Sequence, residues 1–163
     1  MPSAIMKAEI AEAPTGKGQT QFFQEASGQS FKAGQYVKLV SGYLTICAGS
    51  AAASTEPILG IAQKDATGTQ YSLIPVALCE PGVKIRMSVY HVTPGSAITA
   101  QASVGSQTQF IQTGNKSCVD VANIGASANA PLVIGEIDSQ WATGTAYGKY
   151  LVQVRADRYQ LAA

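Results

Sequence analysis

Hydrophobic and polar positions along most of the chain alternate in short runs that glycine-rich turns separate. Gln35–Val40 alternates in part, Ser41-Gly42 follows, and Tyr43–Cys47 is again rich in β-formers, which predicts a tight hairpin. A Pro81-Gly82 turn precedes a further predicted strand, Val83–Tyr90. Short strands at intervals of about eight to twelve residues, with almost no helical periodicity, predict an all-β barrel or sandwich.

One stretch of the chain returns in a weaker form near the C-terminus. PILGIAQKDATGTQYSLIPV, at Pro57–Val76, corresponds to PLVIGEIDSQWATGTAYGKYLVQV, at Pro131–Val154. Both contain Ala-Thr-Gly-Thr-x-Tyr, first at Ala66–Tyr71 and then at Ala142–Tyr147, between two apolar runs. Each copy therefore predicts a strand, a turn and a strand, with no obvious nucleophile, base or metal ligand in the shared hexapeptide.

The segments before these two copies correspond in the same order. GQYVKLVSG matches SQTQFIQTG with its glutamine and final glycine in register. We predict two related β units, about 34–90 and 105–160, joined by Tyr90–Val104. Each unit could close its own small barrel, or both could build one core. We favour a single packed body, because each unit alone is near the size at which a core becomes marginal.

Residues 1–27 differ in composition from the rest. IMKAEIAEA is compatible with one or two helical turns, which Pro14 and the following glycines would end. We predict an extended N-terminal arm over 1–27 and a β body over 28–163. The adjacent Phe22 and Phe23 have two interpretations: they anchor the arm on a partner protein, or one of them covers the edge of the body's own core.

The low content of charged residues indicates which kinds of molecule this protein binds. Lys, Arg, Asp and Glu make up 13% of the chain, about half of the roughly 25% usual for soluble domains. Such a surface suits faces that lie against other protein, although neutral polar side chains also serve solubility alone. The net charge is +1 with scattered basic residues, so we expect no nucleic-acid partner.

We expect no membrane partner, because no apolar run approaches the roughly 18 residues that a spanning helix needs. Glu9 and Glu12 lie where the apolar core of a signal peptide would be, so we expect synthesis and folding in a cytoplasm. The three cysteines are Cys47, Cys79 and Cys118. Their odd number and wide spacing predict small buried hydrophobic side chains rather than metal or redox residues.

The sequence contains no convincing catalytic group. The single histidine, His91, excludes a multi-histidine metal site, and no G-x-S-x-G elbow is present. Asp65 and Asp138 occupy roughly matching positions in the two units. We interpret both as turn residues that hydrogen-bond locally. We therefore predict no enzyme, no catalytic residue, no cofactor and no metal.

Several stretches resemble the small decoration, or cement, proteins of tailed-phage heads. They are EPILGIAQKDATGT, PVALCEPGVKIRMSVY, HVTPGSAIT and VIGEIDSQWATGTAYGKYLVQV, and the resemblance covers most of residues 30–158. It rests on the pattern of strands and turns. It implies an all-β virion protein that binds the outside of the major capsid shell, as an oligomer, and stabilises the head without catalysis.

Under this interpretation the partners are the major capsid protein and further copies of the chain, with a trimer favoured and a dimer possible. The candidate capsid-binding residues are Ile5, Phe22, Phe23 and Trp141. Trp141 has a second interpretation, as a cap on the core, and we favour it. Two alternative functions stay open: another virion component, such as a tail or head-fibre protein, or a carbohydrate-binding module that uses Trp141, Tyr71 and Tyr147 as stacking platforms.

Overall fold

The computed structural model describes residues 7–48, 56–138 and 148–161. Within these ranges the chain forms twelve strands: β1 (Glu9–Glu12), β2 (Thr20–Gln24), β3 (Tyr36–Val40), β4 (Tyr43–Ile46), β5 (Gly60–Ala62), β6 (Leu73–Leu78), β7 (Lys84–Tyr90), β8 (Gln107–Thr108), β9 (Phe110–Thr113), β10 (Lys116–Asp120), β11 (Leu132–Ile137) and β12 (Lys149–Val154). Single 3₁₀ turns lie at Pro94–Ser96, Gln101–Ser103, Val121–Asn123 and Ala156–Arg158. No helix in these ranges is long and apolar enough to cross a membrane. The all-β fold class is confirmed.

The strands form two sheets, and the second of them is nearly closed. Sheet II has the order β8-β11-β12-β7-β10-β9, with β1 added to β7. Its two ends, β8 and β9, are separated in the chain by Gln109 alone, so one bent strand joins them. The β7–β10 pair is parallel and the other pairs are antiparallel. Sheet II therefore has the shape of a small barrel.

Sheet I has the order β2-β6-β5-β3-β4. Its outer strands meet at one parallel bridge between Glu25 and Leu44. There the Ala26 N–H donates a hydrogen bond to the Leu44 carbonyl at 3.0 Å. Sheet I thus curves toward closure in the same way as sheet II.

The two sheets repeat one strand order. Strands β2 to β6 correspond in turn to β7, the bent strand β8–β9, β10, β11 and β12. In each sheet the first strand pairs antiparallel with the last and parallel with the third. Each structural unit therefore begins one strand earlier than the sequence comparison indicates. Val83–Tyr90, placed in the first unit by sequence, supplies the first strand of sheet II instead.

The described part of segment 1–27 lies along the body. β1 pairs with β7 and β2 pairs with β6, both antiparallel. The expectation of helical turns is wrong over Glu9–Glu12, because Ile10 lies opposite Ile85 and packs against the core. Glu9 at the same time forms an ion pair with Arg86 at 2.7 Å. A chain that began at residue 28 would lack both strands.

Two clusters of buried apolar side chains hold the sheets together. One lies inside sheet I and contains Phe31, Val37, Leu44, Leu59, Ala62, Ile74, Val76 and Leu78. The larger cluster fills sheet II and also takes in Tyr36, Cys47, Ile58, Ile61 and Cys79 from the chain of sheet I. The two sheets therefore share a core and form one packed body. All three cysteines are buried, and burial raises the pKa of the Cys118 thiol to about 12.

Hydrogen bonds join the end of the β3–β4 ladder to the β9–β10 hairpin. The Tyr36 N–H donates to Ser117 Oγ at 2.9 Å. The Ser117 hydroxyl donates to Gln112 Oε1 at 2.6 Å, and Gln112 Nε2 donates to the Cys47 carbonyl at 3.3 Å. Backbone groups of sheet I that would otherwise be buried without a partner are thereby satisfied by sheet II.

We expect Ser117→Ala to lower the free energy of unfolding by about 1–3 kcal/mol, because the buried Tyr36 N–H loses its acceptor. Urea unfolding followed by circular dichroism measures the change. Ser96→Ala, at an exposed serine, is the matched control and should change stability by less than about 0.5 kcal/mol. Equal stability of the two variants would contradict the role of Ser117.

Candidate interaction surface

Sheet I exposes apolar side chains along β2 and β6. Side chains alternate in a strand, so the adjacent phenylalanines point in opposite directions. Phe23 packs against the core of sheet I, whereas Phe22 is 64% exposed. Phe22 lies directly opposite Pro75, and Leu73, 59% exposed, is its diagonal neighbour on β6. These three side chains form a stripe on the outer face of a rigid ladder.

The stripe continues to the end of sheet I. Tyr71, two residues before Leu73, is 54% exposed, and its ring centroid lies 5.5 Å from that of Tyr43. Tyr43 in turn lies opposite the exposed Val40 in the β3–β4 hairpin. We call Phe22, Val40, Tyr43, Tyr71, Leu73 and Pro75 together the apolar face. Contiguous apolar surface of this kind marks interaction sites in soluble proteins, in contrast to single scattered residues.

The first copy of the repeated hexapeptide positions Tyr71. The Glu25 carboxylate is buried and accepts hydrogen bonds from the Thr67 N–H at 3.0 Å and from the Thr67 hydroxyl. The Glu25 carbonyl accepts the Tyr71 N–H at 3.0 Å. Tyr71 has a φ of 71°, which a non-glycine residue adopts only when its surroundings fix it. The hexapeptide is therefore a fixed turn that presents an aromatic ring.

A cluster of charged side chains joins β1 and β7 to the end of β11, across the intervening strand β12. Arg86 is held between Glu9 and Asp138, and the hydrogen bonds that its guanidinium donates to these two carboxylates raise its pKa. Lys84 is held between Glu12 at 3.0 Å and Glu136 at 3.2 Å. The cluster borders a polar cleft of about 290 Å³. Its side chains form ion pairs with one another, and the pairs with Glu9 and Glu12 hold β1 against β7.

The cleft on the other side of β1 is larger and less charged. It has a volume of about 430 Å³ and lies between Lys7–Ile10 and residues of sheet I, among them Gly34, Ala62 and Ala77. Lys7 closes on Gly34 so tightly that a Cβ atom at position 34 would lie 2.6 Å from that of Lys7. Gly34 also has a φ of 91°. Glycine is therefore required at this position for two separate reasons.

The remaining candidates from the sequence make structural contacts, and the interpretation of Asp65 and Asp138 as turn residues that hydrogen-bond locally is wrong, because both carboxylates bind groups more than 30 residues away in the chain. Asp65 accepts the Ala33 N–H at 2.9 Å and pairs with Lys32 at 3.3 Å, and these contacts lower its pKa. Asp138 is buried beside Arg86 in sheet II, so the two aspartates face different cations. His91 Nδ1 accepts the Thr93 N–H at 2.9 Å. In the parts of the chain that the structure describes, no three His, Cys, Asp or Glu side chains are grouped to hold a metal ion.

The structure describes two of the four candidate capsid-binding residues. Phe22 belongs to the apolar face and Phe23 to the core, whereas Ile5 and Trp141 lie outside the described residues, as does Tyr147. Val40, Tyr43 and Leu73 were not predicted as contact residues. The alternation in Leu-Ile-Pro-Val is the sequence signal that places Leu73 and Pro75 on one face of β6.

The apolar face is thus the surface that sheet I offers for recognition, and it stands on a backbone that two cores hold in place. No protein-family model, curated protein or solved structure matches this chain.

Proposed function

We propose that this chain is a structural protein of a tailed-phage virion that binds the outer surface of the major capsid shell and stabilises the head by bridging capsid subunits. The observation that carries the proposal is the apolar face, which presents aromatic and aliphatic side chains from fixed strands of sheet I. Aromatic anchors of this kind dominate protein–protein interfaces. The low charge of the chain supports the same class of partner.

The expected mechanism is burial of the apolar face against the shell. Full burial of one large apolar side chain contributes about 1.5–3 kcal/mol. Phe22 and Leu73 stand on a hydrogen-bonded ladder, so little conformational entropy is lost when they are covered. A homo-oligomer, with a trimer favoured, would engage several capsid subunits at once and convert modest contacts into strong retention. The protein would be made in the host cytoplasm and act on the outer capsid surface.

We expect the double variant Phe22→Ser/Leu73→Ser to bind heads at least about tenfold more weakly, because tenfold corresponds to only about 1.4 kcal/mol. The measurement is co-sedimentation with empty heads assembled from the major capsid protein that is encoded with this chain. Val92→Ser is the matched control, since Val92 is 79% exposed but lies outside the apolar face. Binding by the double variant that equals the control would contradict the proposal, provided that both variants melt like the wild type.

Two alternative functions differ in outcomes that are simple to observe. Imaging of labelled virions would show hundreds of copies around capsomers for a decoration protein and a handful at one vertex for a tail or head-fibre protein. The Tyr43–Tyr71 ring pair is the observation that favours a carbohydrate-binding module. Glycan binding that Tyr71→Ala abolishes, without loss of the fold, would support that module instead.

A further inference from the structure

One edge of β2 is paired with another strand only at its end among the described residues, where Glu25 bridges to Leu44 of β4. In an antiparallel ladder the backbone groups of successive residues face opposite sides. The Gln19 carbonyl accepts the Leu78 N–H at 3.1 Å and the Glu25 N–H donates to the Ser72 carbonyl at 2.9 Å. The N–H and C=O groups of Thr20 and Phe22 and the N–H of Gln24 therefore point away from β6, and among the described residues no strand pairs with them on that side. The Gln24 carbonyl lies on the same side and belongs to the bridge between Glu25 and Leu44 of β4.

The internal repeat shows what this edge can hold. In sheet II the strand equivalent to β2 is β7, and one edge of β7 is shared by two partners. Val89 and Tyr90 pair with β10, whereas Ile85 and Arg86 pair with β1. In sheet I the corresponding edge meets β4 at Glu25, but the position equivalent to β1 has no strand from the described residues. Sheet I therefore has a place for one more antiparallel strand.

The side chains on the outer face of β2 determine which kind of segment can pair with its free edge. On β7 the outward side chains Lys84 and Arg86 are matched by acidic residues of β1. On β2 the outward side chains are Phe22 and Gln24, so an acidic strand would find no counter-charge. The suitable segment has no charged side chain and places an apolar residue opposite Phe23. Residues 1–6, Met-Pro-Ser-Ala-Ile-Met, meet this description through Ile5 and Met6.

The position of Lys7 indicates whether residues 1–6 pair with β2 of the same molecule or of a neighbouring copy. Lys7 packs against Gly34, whose N–H donates to the Ala62 carbonyl of β5 at 2.8 Å, whereas the free edge of β2 lies beyond β6. Two strand spacings separate β5 from β2 by about 10 Å, and six extended residues span about 20 Å. Within one molecule, about half of the segment would be used to cross the sheet. The edge of a neighbouring molecule can take the segment over its whole length.

We propose that residues 1–6 of one copy add as a strand to the free edge of β2 in a neighbouring copy and so link copies of the chain into a homo-oligomer. This is strand addition, in which backbone hydrogen bonds supply affinity and alternate side chains supply specificity. It also covers an edge that would otherwise invite unspecific pairing. The proposal concerns self-association alone, so it does not depend on the capsid shell as a partner.

The test uses the full-length chain and measures its mass by size-exclusion chromatography with light scattering. We expect the wild type to be oligomeric and Gln24→Pro to be monomeric. Proline at position 24 removes an N–H that faces only the free edge, so the β2–β6 ladder keeps its hydrogen bonds. Gln24→Val, which retains the N–H, is the matched control and should remain oligomeric.

A second variant tests the other side of the contact. Ile5→Asp/Met6→Asp places a charge on whichever face of the added strand turns inward, and we expect it to be monomeric and to keep the circular-dichroism spectrum of the wild type. This variant decides the question if Gln24→Pro fails to fold. A monomeric wild type, or an oligomer that survives the Ile5/Met6 substitutions, would overturn the proposal. So would rapid hydrogen exchange at the Phe22 and Gln24 amides within the wild-type oligomer.

Discussion

Replacement of Tyr36 by alanine should lower the free energy of unfolding by about 3–5 kcal/mol, the range found when large buried aromatic side chains are removed. Tyr36 is fully buried, and its ring meets that of Phe110 edge to face at a centroid distance of 5.0 Å. Its hydroxyl donates to Met87 Sδ at 3.0 Å. Tyr36 starts a strand of sheet I but lies in the core of sheet II, so the cavity would open where the sheets join.

Tyr36→Phe separates the packing of the ring from the hydroxyl contact. Desolvation raises the pKa of Tyr36, so the hydroxyl stays protonated. We expect its loss to cost about 1 kcal/mol or less. Both variants are measured by urea unfolding, and both should keep the slope of the wild type. An alanine variant within about 1 kcal/mol of the wild type would show that the sheets are not held together through this residue.

Arg86→Ala should destabilise the protein by about 2–3 kcal/mol, somewhat less than the loss of one partner from a fully buried pair, because Arg86 is partly exposed. The substitution removes a cation that pairs with the buried Asp138 carboxylate. It also releases Glu9, so the amides of β1 should exchange with solvent faster than those of β12. Thermal melting and hydrogen exchange measure the two effects.

The double variant Arg86→Met/Asp138→Leu shows whether the destabilisation of Arg86→Ala comes from the buried Asp138 charge or from the loss of packing around Arg86. Removal of both partners eliminates the buried carboxylate and leaves only the exposed Glu9 without Arg86, so the double variant should recover most of the stability that Arg86→Ala loses. β1 should nevertheless remain loosely held, because Glu9 still lacks its cation. A double variant less stable than Arg86→Ala would mean that the aspartate is not the source of the penalty.

The sequence was sufficient to predict the hairpins and the all-β class. Ser41-Gly42 and the alternation around it determine the β3–β4 turn locally. β2 was missed as a strand because its sequence, TQFFQ, has a single side chain that packs on a core, Phe23. Its strand character depends on β6, about 50 residues further along the chain, and long-range pairing of this kind leaves no local pattern.

The residues of the apolar face were only partly predictable, because their exposure also depends on long-range pairing. Alternation separates Phe22 from Phe23, but it does not show which of them faces solvent. That depends on where the rest of sheet I lies. Leu73 looks like a core residue in its apolar run, and only the register with Gln24 places it on the outer face. Exposure of an apolar residue is therefore a property of the tertiary fold.

The repeated strand order also bears on how the molecule forms during translation. Sheet I needs only the chain up to Leu78, whereas sheet II needs β12, near the end of the chain. Domains generally fold in the order of synthesis, so sheet I should form while the second half of the chain is still being synthesised. Tyr36, which the finished protein buries, would then be exposed. β1 is synthesised first, but it can pair and form its ion pairs only after β7 has been synthesised.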